Sequence, residues 1–202
     1  MRGLTRADPR SRFDAAVVAI DSANALDPTI TIVRGRAQPL ALAHGVLAQQ
    51  WVERLDPDAD DALRLAARAH HLRRWELTRA TYPEGRAGYL RWRRDQKARH
   101  ASDVGAIMAE AGYDEAVIER TQQLIRRERL GSDPHAQVVE DAACLVFIET
   151  QLASFAGRHE HDHVLEIVRK TARKMSADAL ALVAELPLDD TARRVLADAL
   201  TT

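Results

Sequence analysis

Apolar residues recur along this chain at three- and four-residue steps almost throughout, and no segment alternates as a half-buried strand does. The first such stretch predicts a helix from about Ser11 to Leu26, followed by an irregular stretch at Asp27-Pro28. The β-branched segment 29–33, TITIV, is too short and isolated to build a sheet. A second helix is expected from about Gln38 to Leu55, where Leu40, Ala43, Leu47 and Trp51 share a face. Asp56-Pro57-Asp58 breaks it, and a third helix then carries Leu63, Ala66, Ala67, His70 and His71 on one side. From about Trp75 to Gly88 the pattern lapses, with Pro83, Gly85 and Gly88 marking a loop. Loops of that length inside compact domains are often functional.

A fourth helix should run to about Ala111 and stop at Gly112, a natural C-cap. A fifth should begin at Asp114 and end near Gly131. After Ser132-Asp133-Pro134 comes a sixth, apolar almost all round from Val138 to Phe147, which places it at the centre of the bundle. Two or three short helices complete the chain. The expected fold class is all-α, a single helical bundle domain over residues 1–202, with no internal repeat or domain boundary.

Composition changes this picture little. A chain of 202 residues can bury one good core, and its longest apolar run falls far short of the roughly 20 residues that cross a bilayer. The start, MRGLTRADPRSRF, is polar and lacks the apolar stretch of a secretory signal. The single cysteine, Cys144, lies in an apolar run and reads as a small buried hydrophobe. It excludes a disulfide framework and a Cys-type zinc site. A cytoplasmic location, with no membrane partner, is the expectation.

Charge changes it more. The net charge is −1, yet Arg64 to His100 holds eleven Lys and Arg against three Asp and Glu, so that stretch carries +8 and the remainder −9. The basic block surrounds the strongest chemical candidates, and an anionic ligand is therefore expected.

Those candidates are polar residues at inward positions, where an unpaired group costs roughly 1–3 kcal/mol. His44 sits between Leu40 and Leu47 on the apolar side of the second helix. His70 and His71 take the next places in the stripe of the third, and Asp141 opens the apolar run of the sixth. Three imidazoles and a carboxylate suit one divalent transition metal ion (Mn, Fe, Co, Ni or Zn), whose bonds would offset their desolvation. A second histidine group, His159, His161 and His163 in HEHDH, has no apolar flanks and reads as a solvated loop between helices.

The order His44, the pair at 70–71 in LAARAHHLRRWE, His100 in HASDVGAIMAEAG, and Asp141 in EDAACLVFIE resembles the HD superfamily of metal-dependent phosphohydrolases. The resemblance covers about residues 38–150 and implies an HD-domain-like bundle with the C-terminal helices packing on it. It implies His44, His70, His71 and Asp141 as metal ligands and a hydrolase acting on a nucleotide or other phosphorylated substrate. The whole chain is also similar to an uncharacterised bacterial and fungal family, some of whose members are labelled glutamyl-tRNA synthetase-like. HHLRRWE, YPEGRAGYLRWR and EDAACLVFIE carry that similarity, but no Rossmann pattern or synthetase nucleotide motif supports the label.

Two departures from the HD pattern matter. His71 stands where the dyad has Asp, and Arg126-Arg127 stand where two-metal members have histidines. Arginine does not ligate a cation, so one metal at most is implied, and His100 becomes available as a catalytic acid or substrate contact. Arg73, Arg74, Arg126 and Arg127 could restore the lost positive charge by binding phosphate bidentately. Glu76 is a candidate to orient or deprotonate a metal-bound water. Arg86 and Arg91, with Tyr82, Tyr89 and Trp92, mix cations and aromatics as a base-plus-phosphate pocket would. The alternatives are a non-catalytic nucleotide- or RNA-binding protein, and an iron-dependent HD-type oxygenase.

Overall fold

The computed structural model describes residues 9–200; the polar start at residues 1–8 lies outside them. The fold is all-α, with one two-stranded ribbon. Helix α1 (Pro9–Asn24) buries Phe13, Ala16, Ile20 and Ala23, one stripe at three- and four-residue steps. Strands β1 (Ile30–Val33) and β2 (Arg36–Pro39) then pair antiparallel, Val33 opposite Arg36. This corrects the expectation that TITIV builds no sheet and that Gln38 opens a helix. The reason is the turn: Arg34 and Gly35 both take positive φ, 50° and 78°, the two-residue geometry that matches strand twist.

Helix α2 (Leu40–Leu55) starts directly after Pro39 with no side-chain cap of its own. Asp27 supplies one from outside, accepting from the Ala41 N–H at 3.0 Å and the Thr29 N–H at 2.9 Å. The Asp60 side chain caps α3 (Asp61–Arg68) by accepting from the Leu63 N–H at 2.8 Å. That helix ends earlier than its apolar stripe suggests, so His70 and His71 stand in the turn beyond it. Tight three-residue backbone bonds, Leu72 N–H to Ala69 and Arg74 N–H to His71, replace the helical ladder there. Arg73 takes the left-handed conformation at φ 49°. Two short 3₁₀ turns, Arg74–Glu76 and Arg79–Thr81, occupy part of the expected loop, and the next helix takes its last residues from Gly85 on.

Helix α4 (Gly85–Glu110) packs along α5 (Glu115–Arg126), which ends at left-handed Arg127 rather than near Gly131. Helix α6 (Pro134–Thr150) begins with proline in its first turn behind the capping carboxylate of Asp133. It is buried on most sides and packs on α2, α3 and α5, so the central place expected for it holds. Short α7 (Leu152–Ala156), α8 (His161–Ala172), α9 (Ala177–Leu182) and α10 (Asp190–Leu200) complete the chain, with α8 against α10. Leu63, Leu65, Leu72, Met108, Leu124, Ile125 and Leu145 are buried at the heart of the core. Among the described residues, no helix is long and apolar enough to cross a membrane.

Candidate functional site

One face each of α4, α6 and α8 lines a cleft of about 980 Å³. On α4 the lining residues are Arg86, Tyr89, Leu90, Arg93, Lys97 and His100, again one helical stripe. Glu140, Cys144, Phe147 and Gln151 come from α6 and the residue after it, and His163, Ile167, Lys170, Arg173 and Lys174 from α8 and the turn beyond. His70, His71 and Arg74, in the turn after α3, close one side, and Arg127 follows α5. The lining holds eight Lys and Arg side chains against one carboxylate, Glu140.

The histidines form a connected inner wall. His44 and His71 share a hydrogen bond between their Nδ1 atoms at 3.1 Å, and the rings of His70 and His71 stack with centroids 4.0 Å apart. His100 stands 6.3 Å from His71, ring centre to ring centre. Hydrogen-bond geometry assigns the tautomers. The Thr150 hydroxyl donates to the Val146 carbonyl at 2.7 Å, so the 3.0 Å contact from His44 Nε2 to Thr150 Oγ1 assigns the proton to that nitrogen, against the longer 3.4 Å approach of the Gln151 amide nitrogen. His44 Nδ1 then accepts, His71 Nδ1 donates, and His71 Nε2 keeps its lone pair. His70 Nδ1 donates to the Ala67 carbonyl at 2.8 Å, which leaves His70 Nε2 a bare acceptor, buried and without a partner. Both nitrogens of His100 are likewise buried, and the Leu72 backbone is the one group that acts on them as a hydrogen-bond partner.

Burial disfavours the charged imidazolium at all four positions. It lowers His44 to about 4 and His100 to about 3, with Arg74 adding repulsion in each case. His70 and His71 are held well below the ordinary histidine value, again chiefly by burial. The wall is therefore neutral near pH 7 and rich in acceptors.

The cations around it are held in different ways. Arg74 lies 4.7 Å over the Trp92 ring, in a segment stapled to α4. The buried Gln96 amide donates to the carbonyls of Arg74 and Leu77, both at 2.8 Å, and Trp92 Nε1 donates to Leu77 at 2.9 Å. Burial and then Arg93 pull Arg74 down to about 10. Arg127 is buried, pairs with Glu140 at 3.1 Å, and donates to the carbonyls of Leu124 and Ile125 at the end of α5. Lys174 lies 4.0 Å from the same Glu140. Burial, then Arg127, lower Lys97 to about 8.

The structure gathers some expected residues and separates others. His44, His70, His71 and His100 come together, and Arg74, Arg86 and Arg127 line the cleft. Asp141 does not join the histidines: its buried Oδ1 accepts from the Ser176 N–H and the Gln137 amide, both at 2.9 Å. That oxygen is committed to holding the start of α9. Among the described residues no group of three or more His, Cys, Asp and Glu is disposed to hold a metal ion.

Glu76 is drawn into an ion pair with Arg99. Arg126 pairs with Glu119 and Glu128, and Arg91 with Asp95. Arg73 gives its backbone N–H to Asn24 and is not part of the lining. His161 and His163 are not in a loop but in the first turn of α8, exposed, with His163 at the cleft. Sequence reasoning missed Arg93, Lys97, Lys170, Arg173 and Lys174. For Arg93 and Lys97 the signal was present: they stand at seven and eleven residues from Arg86, on the stripe that ends at His100, whereas Arg91 is off it.

The profile of a family described as Domain of unknown function (DUF4202) matches residues 14–196, nearly the whole of this architecture. The chain belongs to the DUF4202 family. No curated protein and no solved structure matches it.

Proposed function

We propose that this DUF4202 member binds a phosphorylated small molecule of nucleotide size in the cleft between α4, α6 and α8. The observation that supports the reading is the excess of seven positive charges in the lining of one cavity of about 980 Å³. That volume lies at the upper end of the usual range for small-molecule sites. Five of the cations, Arg74, Arg86, Arg93, Arg127 and Arg173, are arginines, and all but Arg127, whose nitrogens are held by Glu140 and backbone carbonyls, offer the planar fork that meets phosphate oxygens in pairs. Leu90, Ile125, Phe147 and Ile167 offer apolar surface to the body of such a ligand. A concave site bounded by three helices suits a small molecule better than an extended nucleic acid, which is met by a stripe or patch of charge.

Calorimetric titration with nucleoside monophosphates and diphosphates, and with the matching nucleosides, tests this. The phosphorylated compounds should bind, more weakly as salt rises, and the nucleosides should not. Absence of binding by every phosphorylated compound would refute it.

A second reading, metal-dependent phosphohydrolysis of the HD kind, has one observation in its favour. His70 Nε2 is buried with no hydrogen-bond partner at the inner wall of the cleft. Quantifying metal in the purified protein and in His70→Ala, beside a phosphoester panel, decides it. About one transition metal per chain, lost in the variant, supports the reading; metal-free protein without turnover rejects it.

A further inference from the structure

Among the described residues, two of the exposed large apolar side chains, Tyr89 and Leu90, are adjacent and line the cleft, 43% and 51% open. Single exposed apolar residues scattered over a surface are ordinary, but contiguous ones set in a cavity mark a place for a ligand. The other two aromatic rings between residues 82 and 92 are already in use. The Tyr82 hydroxyl donates to Asp95 at 3.1 Å. Trp92 gives its Nε1–H to the Leu77 carbonyl and has the Arg74 guanidinium 4.7 Å over its ring. Tyr89 meets Trp92 only at a tilt, with ring centres 6.0 Å apart and planes at 39°.

Charge brackets this ring. Arg86 stands three residues before Tyr89 and Arg93 four after it, where side chains of one helix are neighbours with Cβ atoms about 5–6 Å apart. Both arginines line the cleft, and neither has an ion pair within 4 Å among the described residues. The Arg93 guanidinium lies 5.8 Å from the Tyr89 ring centre, near the outer limit of a cation–π contact, so little holds it there. Arg127, by contrast, is committed to Glu140 and to backbone carbonyls, and Arg74 to Trp92. The platform is also fixed from behind. Arg79 donates to the carbonyls of Tyr82 and Pro83, at 2.9 and 2.8 Å, and a Cβ at Gly88 would stand 1.9 Å from that same Pro83 oxygen. The chain before α4 thus lies tight against its first turn, and Tyr89 is presented in place before any ligand arrives.

Resting on the reading of the cleft as a phosphate site, we infer that its ligand is a nucleotide whose base stacks on Tyr89 and whose phosphoryl oxygens are met by the flanking Arg86 and Arg93. Leu90 adds apolar surface beside the ring, and Lys97 stands one turn beyond Arg93 on the same stripe. A base suits an exposed aromatic ring because its π-face stacks without needing hydrogen bonds to its edges. A sugar phosphate of equal charge has no such face, so Tyr89 is the residue that separates the two classes.

The test is calorimetry with adenosine monophosphate, ribose 5-phosphate and inorganic phosphate, on the parent chain and on Tyr89→Ala and Tyr89→Phe. Adenosine monophosphate should bind at least about tenfold tighter than ribose 5-phosphate, about 1.4 kcal/mol. Tyr89→Ala, an exposed change, should remove that advantage and leave ribose 5-phosphate and inorganic phosphate unaltered, while Tyr89→Phe should keep it. Equal affinity for adenosine monophosphate and ribose 5-phosphate, or an advantage that survives Tyr89→Ala, would overturn the base platform while leaving the phosphate site standing. Loss of the advantage in Tyr89→Phe as well would overturn stacking and assign the preference to the hydroxyl. Absence of binding by all three compounds would remove the phosphate site and this inference together.

Discussion

The two sides of the cleft are built on opposite plans. On the histidine side every ring is fixed by packing or by bonds to its own neighbours, through Thr150, Ala67 and the shared Nδ1 contact, and burial keeps all four uncharged. On the α4 and α8 side, Arg86, Arg93 and Lys97 have no ion pair within 4 Å among the described residues, and Lys170 and Arg173 reach solvent. The first side is part of the core, so its chemistry is set by desolvation. The second is a surface, so its chemistry is set by surplus charge. Substitutions in the first should therefore be read out as stability, and in the second as binding.

The largest effect is expected where the histidine side meets the packing of helices. Gly45 lies on α2 beside His44, and a Cβ there would stand 2.5 Å from the carbonyl oxygen of Arg68, the last residue of α3. Gly45→Ala must push α2 away from the turn that carries His70 and His71. We expect a loss of about 1–3 kcal/mol in denaturant unfolding, the usual range for overpacking. A variant as stable as the parent would show that the inner wall tolerates a wider gap than its geometry implies.

His44→Ala should come next. It leaves the His71 Nδ1–H without its acceptor and opens a small void against Thr150, together worth on the order of 1–3 kcal/mol. His163→Ala is the matched change on the other side, exposed at the start of α8, and should stay within about 0.5 kcal/mol of the parent. Comparable losses in the two variants would erase the distinction between the walls. The tautomer of His71, followed by nitrogen chemical shifts, provides a second readout in the His44 variant.

How far this could be read from the sequence follows the same division. The helices, the central place of α6 and the inward position of His44 and His70 were legible, because apolar periodicity encodes burial directly. Asp141 was legible as buried, but not as bonded to Ser176, since a carboxylate thirty-five residues from its partner leaves no local trace. The β-ribbon was missed because its decisive signal is the Arg34-Gly35 turn, not strand composition. Arg126 and Arg127 look alike in sequence, yet left-handed Arg127 turns into the interior while Arg126 remains among surface carboxylates. Lys170, Arg173 and Lys174 reach the cleft only through the packing of α8, and nothing in their own neighbourhood announces it.

Arg93 and Arg91 offer a sharper test of the charged side, because they differ by half a helical turn and by little else. Arg93 lines the cleft; Arg91 faces Asp95. Arg93→Ala should weaken a phosphorylated ligand about tenfold, the worth of one charge-assisted hydrogen bond, and Arg91→Ala should leave affinity unaltered. Equal losses would mean that the ligand senses the general field of the basic block and not a formed site, and the salt dependence of the two variants would say the same.

The smallest effect is a pH dependence that only the charged side should show. Lys97, lowered to about 8 by burial and by the repulsion of Arg127, Arg93 and Lys174 against the attraction of Glu140, is a cation below that pH and neutral above it. A phosphomonoester is already dianionic above about pH 7, so the ligand does not change across this window. Affinity should therefore fall as pH rises through about 8, by a few-fold, where an ordinary lysine would hold it constant to about 10. The bound anion itself favours the protonated amine, so the step shifts upward in the complex and the loss stays partial. Lys97→Arg keeps the charge throughout and should flatten the profile while preserving affinity at pH 7. If the parent profile is already flat, or the arginine variant retains the step, the titrating group is not Lys97, and its place among the phosphate contacts would have to be given up.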